Sequence, residues 1–119
     1  MLTPPTWRRI AWLGTIVVVV LCYVPPPDVQ GPDLPHGDKL AHLLAFAGIG
    51  LAWRLSGMGW RRVLLLGVAL IALTEIGQAV LPTGRSADWM DALGDAAGVV
   101  LGLLAADRCR SWAVRTAKA

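Results

Sequence analysis

Four apolar runs, Trp7 to Val24, Leu40 to Leu55, Val63 to Leu81 and Trp89 to Ala106, take up most of a 119-residue chain. Each approaches the roughly 20 residues that a helix needs to cross a hydrocarbon core. They predict spans at about 7–24, 39–55, 62–81 and 88–106, the second being the shortest. With 55% hydrophobic and 16% charged residues and a mean hydropathy of +0.57, the chain is too apolar for an ordinary soluble domain. The breaks between runs are short. "VPPPDVQGPDLPHG" holds five prolines, and "RLSGMGWRR" and "PTGRS" carry the other turn residues. Nothing outside the runs could build a core of its own, so residues 1–119 are expected to form one domain. The fold class that follows is all-α, an integral membrane four-helix bundle.

The position of the charges decides what the net +3 means. Arg8, Arg9, Arg54, Arg61, Arg62, Arg108, Arg110, Arg115 and Lys118 fall at the N-terminus, the second break or the C-terminal tail, and only Lys39 and Arg85 fall on the other side. This is the asymmetry of the positive-inside rule, not a nucleic-acid footprint. It predicts that both termini are cytoplasmic and that the loops at 25–38 and 82–87 face outward. Trp7, Trp12, Trp53, Trp60 and Trp112 gather toward the basic side, as interfacial anchors would. Arg8 and Arg9 before an apolar run resemble the start of a removable signal, but no small-x-small cleavage site follows, and the run is kept as a span. Cys22 and Cys109 lie at opposite ends of this topology and are not expected to pair.

The acids are the counterpart of that asymmetry. Asp28, Asp33, Asp38, Glu75, Asp88, Asp91 and Asp95 lie on the outer side or in the outer half of a helix, and only Asp107 is cytoplasmic. Glu75 sits six residues from the outer end of its run, a depth of roughly 9 Å at about 1.5 Å per residue. At about 100° per residue, Asp88, Asp91, Asp95, Gly98 and Gly102 share an arc of roughly 80°. Asp38 and His42 share a face, as do Glu75 and Gln78. A charge in the middle of a bilayer costs about 2.5–3.5 kcal/mol on insertion scales, so such groups turn inward and find partners. Helices two, three and four are therefore expected to surround a polar outer pocket formed by Asp38, Lys39, His42, Glu75, Gln78, Arg85, Asp88, Asp91 and Asp95.

Several chemistries fit these residue types. Glu75, Asp88, Asp91 and Asp95 offer hard oxygens that could hold a divalent cation, and His42 would admit zinc. A network of ion pairs with Arg85 and Lys39 as the cations is the simpler use of the same residues. His42 could act as a general base with Glu75 or Asp91, which makes those three the catalytic candidates. Ser86 is the nearest hydroxyl, but "GRSAD" is not a nucleophile elbow, and a helix cap suits it better. Lys39 and Arg85 stand where a lipid phosphate or an anionic cell-wall precursor would arrive. Gly94, Gly98 and Gly102 form a doubled small-xxx-small pattern for close helix packing, within one chain or between copies.

Together "DKLAHLLAFAGIG", "TEIGQAVLP" and "GRSADWMDALGDAAGVVLG" resemble the VanZ-like family of small bacterial membrane proteins, named for a protein associated with teicoplanin resistance. The resemblance covers roughly residues 38–106, in the family's order. Asp38, Lys39 and His42 match its Asp-Lys-x-x-His start; Glu75 and Gln78 match Glu-x-x-Gln; Arg85, Ser86, Asp91 and Gly98 match the third element. Leu43, Phe46 and Asp95 stand where the family usually has an aromatic, a tyrosine and an asparagine. The resemblance implies a multi-pass protein of the bacterial inner membrane and a link to glycopeptide susceptibility, but no reaction. Three functions are compatible: binding of a membrane lipid or lipid-linked cell-wall precursor, an intramembrane lipid-phosphate hydrolase or transferase, and a small proton-coupled exporter. The exporter fits least, because no comparable polar density reaches the cytoplasmic half.

Overall fold

The computed structural model describes residues 1–24, 37–82 and 87–119, with the side chain of Asp38 left aside. The described residues form four helices: α1 (Pro4–Tyr23), α2 (Gly37–Leu55), α3 (Trp60–Val80) and α4 (Trp89–Ala117). No strand occurs among them. Helices α1, α3 and α4 are long and apolar enough to cross a membrane. Helix α2 has 19 residues with Lys39 near one end and Arg54 at the other, and is not among those three.

Local chemistry sets most of the boundaries. Helix α1 opens with prolines in its first two positions, where the missing N–H would have no partner, and ends just before the proline run. The α2–α3 break is a Schellman turn. Gly57 takes φ +96°, Met58 N–H donates to Trp53 O at 3.3 Å and Gly57 N–H to Arg54 O at 3.2 Å. Helix α4 is capped by Asp88, whose carboxylate accepts from Met90 N–H at 2.9 Å. The cap expected at Ser86 is thus made by Asp88, and Ser86 lies outside the described residues. Helix α4 continues to Ala117 and does not stop at Ala106. No glycine or proline follows Leu103 to end it, and apolarity marks only the part that faces lipid, not the length of the helix.

The packing is dominated by α2 against α4. The chain runs up and down, so these two helices are parallel. Their partners keep one register: Lys39 with Asp91, His42 with Asp95 and, at the far end, Arg54 with Asp107 at 2.8 Å. Glycines bring the backbones together between those points. A Cβ on Gly98 would meet Leu43 O and stand 3.0 Å from Ala47 N. One on Gly102 would meet Ala47 O and stand 2.8 Å from Leu51 N, and one on Gly50 would stand 2.5 Å from Val99 O. The glycine stripe thus packs inside one chain. Gly94 is looser, its nearest neighbour Lys39 O lying 3.6 Å from a Cβ built there.

Ala11, Phe46, Ile49, Ala52, Trp53, Val63, Leu70, Val99 and Leu103 form the core. Trp53, expected at the interface, is 4% exposed. Its Nε1 donates to Thr15 Oγ1 at 3.1 Å, and Trp12 meets its ring edge-on with centroids 5.1 Å apart. Satisfying the indole N–H inside the bundle removes the reason for it to reach the headgroups. Trp12, Trp60 and Trp112 do remain exposed. Leu65, Val68, Ile76 and Val80 on α3 and Leu13, Ile16 and Leu21 on α1 turn outward. In water such a surface would be a large apolar patch; in lipid it is the solvent-facing one.

Candidate functional site

The polar side chains gather at one end of the bundle because two helix N-termini meet there. Helices α2 and α4 both begin at this end, and their unpaired N–H groups and aligned dipoles favour negative charge. Asp91 lies in the first turn of α4, with Asp88 as its cap. One turn further along, Asp95 is fully buried.

Lys39 is the hub. Its Nζ donates to Asp88 Oδ2 and Asp91 Oδ1, each at 3.0 Å. Asp91 is nearly buried, whereas Lys39 and Asp88 keep about a third of their side-chain surface open, 31% and 39%. At this rim, ahead of α4, the Lys39 ammonium and then the Met90 amide hold the Asp88 carboxyl below the usual carboxylate range. Glu75 reaches across from α3, its Oε2 accepting from the backbone N–H of Asp88 at 3.0 Å. It ties the start of α4 to the end of α3.

His42 and Asp95 form the inner pair. Nδ1 of His42 lies 2.8 Å from Asp95 Oδ1, with the histidine side chain 9% exposed and the aspartate 0%. One shared proton links them. Asp95 Oδ2 and Glu75 Oε1 are buried and find no hydrogen-bond partner among the described residues. His42 also forms part of the wall of an apolar cleft of about 150 Å³ between α1 and α2, together with Val18, Cys22, Ala41 and Phe46.

His42 Nδ1 lies against Asp95, while Lys39 holds Asp91 and the Asp88 amide donates to Glu75, the other two catalytic candidates. The acids take separate partners, and no three His, Cys, Asp or Glu side chains among the described residues are arranged to hold a metal ion. Gln78 turns to α1, donating from Nε2 to Cys22 O at 2.9 Å. It satisfies a carbonyl in the last turn of α1, where intrahelical donors run out. Beside it Tyr23 OH donates to Leu73 O at 2.6 Å, over a ring that only a glycine at 77 can accommodate. Arg85 lies outside the described residues, and Asp38 is placed only by its backbone in α2. Cys22 and Cys109 form no disulfide. The signal for the His42–Asp95 pair was present in the chain as matched spacing, Lys39 and His42 one turn apart on α2, Asp91 and Asp95 one turn apart on α4.

An all-helical chain with lipid-facing helices and an acidic, internally paired end defines a small helical membrane protein. The VanZ/LLP1 family model matches residues 3–110, and the chain belongs to that family. Neither a curated protein nor a solved structure matches it.

Proposed function

We propose that this protein crosses the bacterial cytoplasmic membrane four times with both termini inside, and that its acidic end takes the anionic head of a lipid or lipid-linked cell-wall precursor in the outer leaflet. Occupancy there changes the access of teicoplanin-type glycopeptides to the cell surface. Helix electrostatics support the orientation. Arg61 and Arg62 occupy the first turn of α3, where the dipole favours acids, so their placement reflects the side of the membrane and not the helix.

The observation that carries the reading is Lys39, a partly open ammonium shared by one nearly buried and one exposed carboxylate, one turn from a histidine that walls a lipid-facing cleft. An arriving phosphate replaces Asp88, the more exposed partner, while Asp91 keeps the ammonium oriented. Arg85 is the second cation the sequence supplies at this rim. Glu75→Ala and Asp91→Ala are expected to abolish a glycopeptide-susceptibility phenotype with membrane expression intact. Retention of the phenotype in both would refute the reading.

The His42–Asp95 pair supports a second reading, a hydrolase or transferase acting on the same lipid class. A buried carboxylate that orients an imidazole is the arrangement a general base uses. The two differ in turnover: an unchanged lipid profile on overexpression leaves the binding function alone.

A further inference from the structure

The surface between α1 and α2 is not filled by the described residues. The cleft beside His42 is followed along α1 and α2 by a second one of about 240 Å³, with Val18 and Ala45 lining both, and the two together are treated as one groove. Its floor is built from small residues, among them Ala11, Gly14, Ala45 and Gly48. The contrast with the α2–α4 seam is direct. A Cβ on Gly98 or Gly102 would strike backbone, whereas one on Gly14 or Gly48 meets nothing within 4 Å. Glycines at 14 and 48 leave room that no part of the described chain occupies.

We propose that this groove holds one hydrocarbon chain of a membrane lipid whose polar head rests at His42 and Lys39. The inference rests on the headgroup reading above and names the part of the ligand that reading leaves open. Three features argue for a chain. From Ala41 to Ala52 the groove runs roughly 16 Å at about 1.5 Å per residue, which is about half of the ~30 Å hydrocarbon core and so the depth of one leaflet. Its wall is apolar along the whole length until His42, the polar residue at its end, which pairs with Asp95 and stands one turn from Lys39, so polarity is distributed as in a lipid. Its rim is made of exposed apolar side chains, Ile10, Leu21 and Leu44, so it opens toward the lipid from which a chain would enter. Held in this way, a lipid is fixed at head and tail, and its head cannot drift from Lys39.

The test is native mass spectrometry of the full chain released in mild detergent and exchanged against phosphatidylglycerol or phosphatidylcholine. Wild type is compared with Gly14→Leu, Gly48→Leu and His42→Gln. The leucines project into open groove and improve helix propensity, so the variants fold, as checked by helicity and a single elution peak. Wild type is expected to retain one phosphatidylglycerol. Each leucine lowers that retention about tenfold, the loss expected when about two methylenes lose their burial. His42→Gln keeps a lipid but narrows the preference over phosphatidylcholine. Equal retention by wild type and both leucine variants reduces the groove to ordinary lipid contact and overturns the proposal. A lipid-free wild-type dimer that Gly48→Leu splits into monomers assigns the groove to a second copy and overturns it as well. Loss of both lipids in the leucine variants, with no headgroup preference in wild type, upholds the chain groove and rejects the headgroup reading alone.

Discussion

Gly102→Ala tests the seam on which the polar end is built. The added methyl would lie 2.8 Å from both Ala47 C and Leu51 N, with Ala47 O closer still, and all three are backbone atoms with no rotamer to escape into. Ordinary carbon contacts lie at about 3.5–4.0 Å, so α2 and α4 must separate by about 1 Å. If the seam holds roughly as many atom pairs as one buried leucine, 40–60 at ~0.1–0.2 kcal/mol, its attraction is about 6 kcal/mol, and a gap of that size forfeits a quarter to a half. That is a loss of about 1.5–3 kcal/mol, from which alanine's better helix propensity returns about 1 kcal/mol. A net destabilisation of about 0.5–2 kcal/mol is expected. Thermal unfolding of the detergent-solubilised protein reads it, with two controls: Gly94→Ala, whose nearest neighbour is 3.6 Å away, and Gly48→Ala, which meets nothing. Both controls are expected to match wild type or exceed it by up to about 1 kcal/mol. A Gly102→Ala protein as stable as wild type would refute the claim that backbone contact holds these helices together.

Asp88 gives a prediction in pH. Its carboxyl is held below the ordinary range by Lys39, so the pair stabilises the fold above the ordinary aspartate value and is lost as pH falls through the depressed one. Asp88→Asn is therefore expected to melt earlier than wild type near neutral pH and to converge with it as the pH falls through that depressed value; a constant difference down to full protonation would show that the ion pair is not the cause. Asp95 separates hydrogen bonding from charge. Asp95→Asn keeps a group that can bond His42 Nδ1 and is expected within about 1 kcal/mol of wild type, whereas Asp95→Leu strands a buried imidazole nitrogen at a cost of about 1–3 kcal/mol. Equal melting temperatures for the two variants would mean that the His42 contact contributes nothing to folding.

Hydrophobic run length locates all four helices, and the charge asymmetry separates a basic end from an acidic one. Periodicity also put Asp88, Asp91, Asp95, Gly98 and Gly102 on a single stripe of α4, which the structure turns toward α2. What a single chain withholds is the identity of the neighbour. Periodicity fixes which residues share a face but not which helix that face meets. The shared face of Glu75 and Gln78 therefore suggests one pocket, although one reaches α4 and the other α1. For the same reason His42 could not be matched to Asp95 over Glu75 or Asp91. Composition likewise cannot tell the glycines apart. Gly102 is packed against a backbone and Gly48 opens on a groove, a difference that exists only once the helices have docked.

The parallel register of α2 and α4 also bears on how the protein is made. Lys39, His42 and Arg54 all lie on α2, and each finds its carboxylate on α4, which leaves the ribosome later. Until then α2 lacks those carboxylates, and it is not among the helices long and apolar enough to cross a membrane by length and composition alone. The carboxylates that answer the cations of α2 thus arrive with α4, so a nascent chain still lacking α4 presents Lys39 and Arg54 without them.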